Sequence, residues 1–377
     1  MDVERHTSLS EIRAADWDRL VGTDYPFLRH GFLLAAEETG CVSPQTGWQP
    51  RHLAIRDAAG LRAALPLYQK SHSWGEFVFD WAWADAYRRA GIDYYPKLVA
   101  AVPFTPASSP RLLLRDAGDT EAAGLLLEAA RALADDIGCS SVHVLFPEPA
   151  ELELLDTAGF KLRKDCQFHW TNRGFRDFDH FLESFSAKKR KKARRDRRHV
   201  AEAGVSYRRL RGDALTDATL REVYRLISLT FLKRGAMPYF DLQFFRRLVK
   251  SQPEHILAIA GFRDERMLAA AVFFHGGQAL YGRYWGADAN VNALHFETCY
   301  YQGIDYCIEH GIDRFEPGTQ GEHKVSRGFE PTATWSAHWL RQPEFFAAIG
   351  EYLTEEERHV ERYMRAVDAH SPYKAAG

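Results

Sequence analysis

One pattern of residues occurs twice in this chain of 377 residues, and it limits the possible folds more than any other feature. Residues 52–64 read HLAIRDAAGLRAA, and residues 255–271 read HILAIAGFRDERMLAAA. Each is an apolar strand, a charged turn and a second strand of small apolar residues, the signature of a β-hairpin. A second pair follows in the same order. Residues 131–146 (RALADDIGCSSVHVLF) lead to Gly159-Phe160, and residues 303–318 (GIDYCIEHGIDRFEPG) lead to Gly328-Phe329. Both predict a helix stopped by glycine, then a strand, a short helix and a further strand. Two copies in one order, about 170–200 residues apart, imply an internal duplication of a hairpin–helix–strand–helix–strand unit.

The composition supports two real cores, with 46% apolar and 13% aromatic residues. The amino-terminal stretch MDVERHTSLSEIRAADW has no apolar signal core, and the longest apolar run, Met267 to Phe274, is far short of the roughly 20 residues of a membrane span. Five scattered cysteines without a CxxC pair suit reduced thiols, so a cytoplasmic location is expected. The 16 histidines form no HxxxH or HExxH pattern, and no metal site is expected. The net charge of −2 conceals an asymmetry. Residues 188–198, KKRKKARRDRR, hold nine basic residues and one aspartate, which leaves −10 on the rest of the chain. A basic stripe on an acidic body points to a local anionic partner.

The periodicity places one domain over residues 1–165, with an aromatic insert at 71–110, and a second over 166–377, preceded by a basic helix at 178–204. Helices are expected at 9–20, 27–40, 120–137, 215–234, 241–251, 294–310 and 343–369. Residues 178–200 read as one helix capped by Asp177 or Asp179.

Three segments carry ionisable residues suited to chemistry. In the aromatic insert, Glu76, Asp80 and Lys97 stand among Trp74, Tyr94 and other rings. A carboxyl group in such a wall acquires a raised pKa and suits a general base toward an amine. The glycine-rich FEPGTQGEHKVSRGF, residues 315–329, offers His323 for proton transfer, with Lys324 and Arg327 for an oxyanion or a phosphate. The strand 279–287 runs into a helix amino terminus, an arrangement that attracts anions. Its residues Tyr281, Arg283 and Trp285 alternate, with Tyr281 and Arg283 expected on one face. On the basic run, Lys188, Lys189, Arg190, Lys192, Arg194 and Arg195 are expected to surround the helix and to meet phosphate groups, because no aromatic residues are interleaved for base stacking.

The chain resembles the FemAB-related family of N-acyltransferases within the GNAT superfamily. The likeness is nearly full-length. It rests on EETGCVSPQTGW (37–48), LPLYQKSHSWGEFVFDWAWADAY (65–87), YYPKL (94–98), PFTP (103–106), KKRKKARRDRRHVAEAGV (188–205) and LHFETCYYQGIDYCIEHGIDRFEPGTQGEHKVSRGFEP (294–331). It implies a mixed-sheet α/β fold of two tandem GNAT-like acyltransferase domains. It also implies a lysine of the glycine-rich turn at Lys324. The activity implied is transfer of an acyl or aminoacyl group to an amine, possible acceptors including a cell-wall precursor peptide. Acyl-CoA or aminoacyl-tRNA would serve as co-substrate, with no tightly bound cofactor. On this reading Asp80 or Glu76 frees the amine, with His323 the alternative base. Lys324 and backbone N–H groups near 318–321 hold the oxyanion. Tyr281, Arg283, Trp285, Trp74, Tyr94, Lys97 and Arg327 line the substrate. The alternative from another class is a non-catalytic protein that holds RNA or an anionic surface through the basic helix 188–198.

Overall fold

The computed structural model describes residues 2–319 and 321–374. They form two compact units, Met1–Cys166 with Ala333–Arg362, and Gln167–Thr332 with Tyr363–Gly377.

In the first unit the hairpin His52–Asp57/Gly60–Leu65 pairs antiparallel, flanked by the strands Val3–His6 and Leu113–Leu114. The strand Lys97–Ala100 runs parallel to Ser141–Leu145. The helix Thr120–Asp136 connects them, as a parallel pair requires a crossover. Asp119 caps that helix by accepting from the Ala122 amide, and Gly138 ends it at a positive φ of 69°. Ala122, Leu126, Ala130 and Leu133 recur at helical spacing and bury one face against Leu98, Val142 and Leu65.

The second unit repeats this layout. The hairpin Ile256–Arg263/Arg266–Gly276 pairs antiparallel, with Ser206–Arg211 on one side and Ala279–Ala287 on the other. Ala279–Ala287 then runs parallel to Arg314–Glu316, again across a helical crossover. The repeats agree in element order and in having a parallel pair across a helical crossover, so the duplication read from the sequence is visible in the structure. They differ in pairing: the first hairpin lies in a four-stranded sheet apart from its parallel pair, which is bordered by Leu67–Lys70, whereas the second hairpin is continuous with its own. The protein is of mixed α/β class, with large mixed sheets.

The final strand of each repeat lies in the unit of the other repeat. Lys161–Thr171 ends in the second unit, where Trp170 and Thr171 pair with Phe315 and Arg314. Glu330–Leu340 ends in the first, where Ser336–Leu340 pairs with Ser141–Leu145.

Two local expectations give way. Residues 178–200 are two helices, Phe178–Glu183 and Ala187–Glu202. Phe185 sits between them, fully buried against Phe181 and Tyr373, and the Ser186 amide donates to Pro372 O, so tertiary contacts bend the chain there. Asp177 caps the first helix through the His180 amide. The aromatic insert, which has no clear period in sequence, holds the helix Trp81–Arg89.

Candidate active site

Ala279–Ala287 and Arg314–Glu316 stay paired for only three residues, Ala279 with Arg314, Leu280 with Phe315 and Tyr281 with Glu316. They then part. Pro317 has no N–H to continue the ladder, and the longer strand carries a bulge. Val272 faces Tyr284 while Phe273 faces Gly282, which leaves Arg283 as an extra residue. The bulge resets the alternation of side chains. Tyr281 and Tyr284 share one side of the strand, and Gly282 and Trp285 share the other, so the expectation of Tyr281 and Arg283 as neighbours on one face is corrected. On the Tyr284 side the helix Asp217–Leu232 lies so close that a Cβ at Gly286 would fall 1.8 Å from Leu226 O. On the Trp285 side lies the crossover helix.

A cavity of about 80 Å³ occupies the opening between the parted strands, lined by Arg283, Trp285, His295, Cys299, Tyr300 and Pro317 among others. Its far wall is the crossover helix, which is π-helical over Glu297–Tyr301 between the α-helical pieces Leu294–Phe296 and Gln302–His310. A π turn adds one residue and shifts the side chains that follow it, a feature frequent at functional sites. Burial disfavours the charge on Arg283, opposed by Tyr284, Glu316 and Tyr239.

The glycine-rich turn closes beside this cavity. Gly318 and Gly321 hold positive φ values of 97° and 116°, and the 3-10 helix Glu322–Arg327 follows. Gln320, within the run expected to supply oxyanion donors, lies outside the described residues. His323 Nε2 lies 2.9 Å from the Tyr300 hydroxyl. Burial, then the charges of Arg327 and Lys324, hold the His323 imidazole below its ordinary pKa, hence neutral at pH 7. Lys324 is buried and donates to Gly318 O. Burial brings its ammonium down to about 7, with Cys299 opposing. Arg327 is buried too. It donates to His323 O at 2.7 Å, packs 3.3 Å over the Phe296 ring and reaches Asp196 at 3.4 Å. Asp196 is the single acid of the basic run, turned inward onto Arg327 and Tyr301.

The residues expected in the first unit form a separate cluster. Lys97 is fully buried and donates to Ser73 and Glu76, each at 2.8 Å, and to Asp80. Tyr94 donates to Asp80 at 2.6 Å. Burial raises Glu76 to about 7, with Lys97 opposing. Burial would raise Asp80 as well, but Lys97 and His143 outweigh it and hold the carboxylate ionised. The network runs on through His143 to His338, whose Nδ1 atoms lie 2.7 Å apart. Only Trp74 of this set reaches solvent, its ring tilted against that of Trp81 with centroids 5.3 Å apart.

The basic helix is not cationic all round. Ala193, Asp196 and Val200 form a buried seam, and Arg197 turns to Asp305 at 2.7 Å. Lys189 and Arg190 are half-buried. Arg194 pairs with Asp179. Lys188, Lys192 and Arg195, with Lys191, are exposed and, among the described residues, have no carboxylate within 4 Å.

Tyr300 and His295 are not among the residues that the sequence singles out, and Cys299, which its helix-face spacing with Cys307 assigns to the core, lines the cavity. Their signal was available in His295 and Cys299 at helical i, i+4 spacing, but the π turn that aims Tyr300 at His323 has no sequence mark.

Comparison with known families decides the kinship. A family model described as FemAB-like, for peptidoglycan biosynthesis and recognition, matches residues 8–375. The chain belongs to the FemAB-like family. The FemAB-like chain is similar in fold to the crystal structure of FemX, with a TM-score of 0.56 and 12% identity over 93% of this chain and 100% of that one. It is similar as well to the C-terminal domain of a putative lysylphosphatidylglycerol synthetase from Agrobacterium fabrum, with a TM-score of 0.58 and 11% identity over 92% and 97%. A third likeness is to L-PGS from Bacillus licheniformis, with a TM-score of 0.51 and 11% identity over 85% and 96%. At such identities these structures establish the fold. No curated protein matches the sequence. This FemAB-like protein is a transferase. No helix among the described residues is long and apolar enough to cross a membrane, and no group of three or more His, Cys, Asp or Glu among them is placed to hold a metal.

Proposed function

We propose that the second unit transfers an aminoacyl group from a tRNA ester to an amine of a peptidoglycan precursor peptide. The observation that carries this reading is the small cavity between the parted strands, with Tyr300 on its wall and His323 hydrogen-bonded behind it. About 80 Å³ suits a compact acyl group rather than a long chain. The amine nitrogen attacks the ester carbonyl, the N–C bond forms and the C–O bond to the carrier breaks. One proton must pass from the amine to the departing hydroxyl. Burial, then Cys299, hold Tyr300 as a phenol, so it can donate to the leaving oxygen. His323, kept neutral, can accept the amine proton and restore Tyr300. Lys324 positions the turn that carries His323. Glu76, Asp80, Tyr94 and Lys97 maintain the interior of the first unit in this reading.

The unpaired cations of the basic helix, in the same unit, favour a polyanionic carrier. The FemAB-like description supplies the peptidoglycan acceptor class. One feature favours acyl-coenzyme A instead. Ala293, at a φ of 65°, gives the crossover helix no side-chain cap, which leaves first-turn N–H groups for a pyrophosphate.

A single-turnover assay separates the two donors. The protein is mixed with a labelled aminoacyl-tRNA pool or with labelled acetyl-coenzyme A, each with a soluble muropeptide acceptor. Transfer from tRNA that fails in Tyr300→Phe supports the proposal. Transfer from coenzyme A alone moves the carrier assignment, and transfer unaffected by Tyr300→Phe and His323→Ala sinks the site.

A further inference from the structure

The helix Asp217–Leu232 packs against the bulged strand, and the turn after it is the most exposed apolar turn of the second unit. Met237 is 71% exposed and Leu232 is 55% exposed. Burying such side chains stabilises a folded chain, so leaving both in water at one turn calls for a contact. The backbone makes the turn compact. The amides of Arg234 and Ala236 donate to Phe231 O at 2.8 and 3.1 Å, and Gly235, at a φ of 67°, donates to Leu232 O at 3.0 Å. This is a glycine-terminated helix end, and it gathers Leu232, Lys233, Arg234 and Met237 on one small knob.

Charge indicates what the knob meets. Lys233 and Arg234 are exposed, and among the described residues neither has a carboxylate within 4 Å. Two long apolar side chains flanking two unpaired cations fit an anionic lipid–water interface, where the apolar groups enter the headgroup layer and the cations meet phosphates. The knob also lies near the cavity. The Phe231 ring lies 5.6 Å from Tyr239 and 6.3 Å from Tyr284, and Tyr284 lines the cavity.

We propose that the Leu232–Met237 turn seats the second unit on an anionic lipid surface. Lipid binding by this turn does not rest on the acyl-transfer reading above.

The test is co-sedimentation of the full chain with vesicles of phosphatidylglycerol and phosphatidylcholine, against vesicles of phosphatidylcholine alone, at about 0.15 M salt. The wild type is expected to bind the anionic vesicles. Leu232→Asp with Met237→Asp, and separately Lys233→Glu with Arg234→Glu, are each expected to weaken binding by about tenfold or more. All four positions are exposed, so circular dichroism should show an unchanged fold. Lys188→Glu with Lys191→Glu and Lys192→Glu serves as the comparator and should leave vesicle binding nearly intact. Failure of the wild type to bind overturns the proposal, as does binding that survives the Leu232/Met237 change. Loss of binding in the basic-helix comparator alone overturns it as well, because the lipid contact would then lie elsewhere. Turnover with a soluble acceptor should be the same in the turn variants and the wild type. A failed vesicle result beside intact Tyr300-dependent turnover therefore removes this proposal and leaves the acyl-transfer reading standing.

Discussion

The Tyr300 hydroxyl stands 2.9 Å from His323 Nε2, and the two residues come from different elements, a π-helical turn and a 3-10 helix. If they move one proton as a unit, Tyr300→Phe and His323→Ala should each lower kcat by about a hundredfold with little change in KM. The double variant should be scarcely worse than either, because groups acting as a unit are not additive. Fully additive losses in steady-state kinetics would break the pairing.

The acid limb of the pH–rate profile should reflect His323 as a base. Burial and the neighbouring cations lower its pKa, so turnover should rise with pH below the ordinary histidine value and be flat near neutrality. A limb at or above that ordinary value would show that the imidazole is not in this environment.

Burial brings the Lys324 ammonium down to about 7 in the folded protein, against an ordinary lysine value of 10.5. Between those values the unfolded chain binds more protons at this site than the native chain. Stability from this residue therefore rises with pH across the window, and its penalty is complete below about 7. Lys324→Met should raise stability near pH 7 by up to about 5 kcal/mol, less the lost bond to Gly318, and by much less at pH 10. Urea unfolding of both proteins across that range checks it, and a pH-independent difference would refute it.

Lys97 has two carboxylate partners in a dry interior. Asp80→Ala removes one and leaves the ammonium poorly compensated, a change that typically costs about 3–5 kcal/mol. Glu76→Gln should be much milder near neutral pH, because Glu76, at about 7, is already partly protonated there. A thermal melt that ranks the two variants equally would show that the network does not carry charge in this way.

Gly286 faces the backbone of the helix Asp217–Leu232, where a Cβ would overlap Leu226 O. A flexible side chain could yield, but a main-chain carbonyl cannot without moving the helix. Gly286→Ala should cost about 3 kcal/mol and disturb the knob at that helix's end, read as a lower urea midpoint with weaker vesicle binding. An unchanged midpoint would mean that the helix shifts freely.

Much of this architecture was legible because it rests on local pattern. The hairpins, the helix stops at Gly138 and Gly311, and the matching crossovers follow from spacing and from glycine. The site was legible in His323, Lys324 and Arg327, which a glycine-rich turn marks out, and in Arg283 and Trp285 on the strand that lines the cavity. Its other half depends on two one-residue irregularities, the bulge at Arg283 and the π turn at Glu297–Tyr301. Each moves side chains to new faces without changing the residue types. Strict alternation misplaced Arg283 for that reason, and helical spacing gave no cause to join Tyr300 to His323. In the aromatic insert the residue types suggested a reactive carboxyl. The decisive fact was the burial of Lys97 beside it, and no periodicity reports that.

The crossed ownership of the last strands also bears on how the protein is made. The first unit includes Ala333–Leu340, which a ribosome delivers long after Cys166. At about 5–20 residues per second the nascent first unit must wait roughly ten seconds or more with the Ser141–Leu145 edge unsatisfied. An open strand edge is a template for wrong pairing, so this interval, rather than the stability of the finished protein, is where a chaperone would matter most.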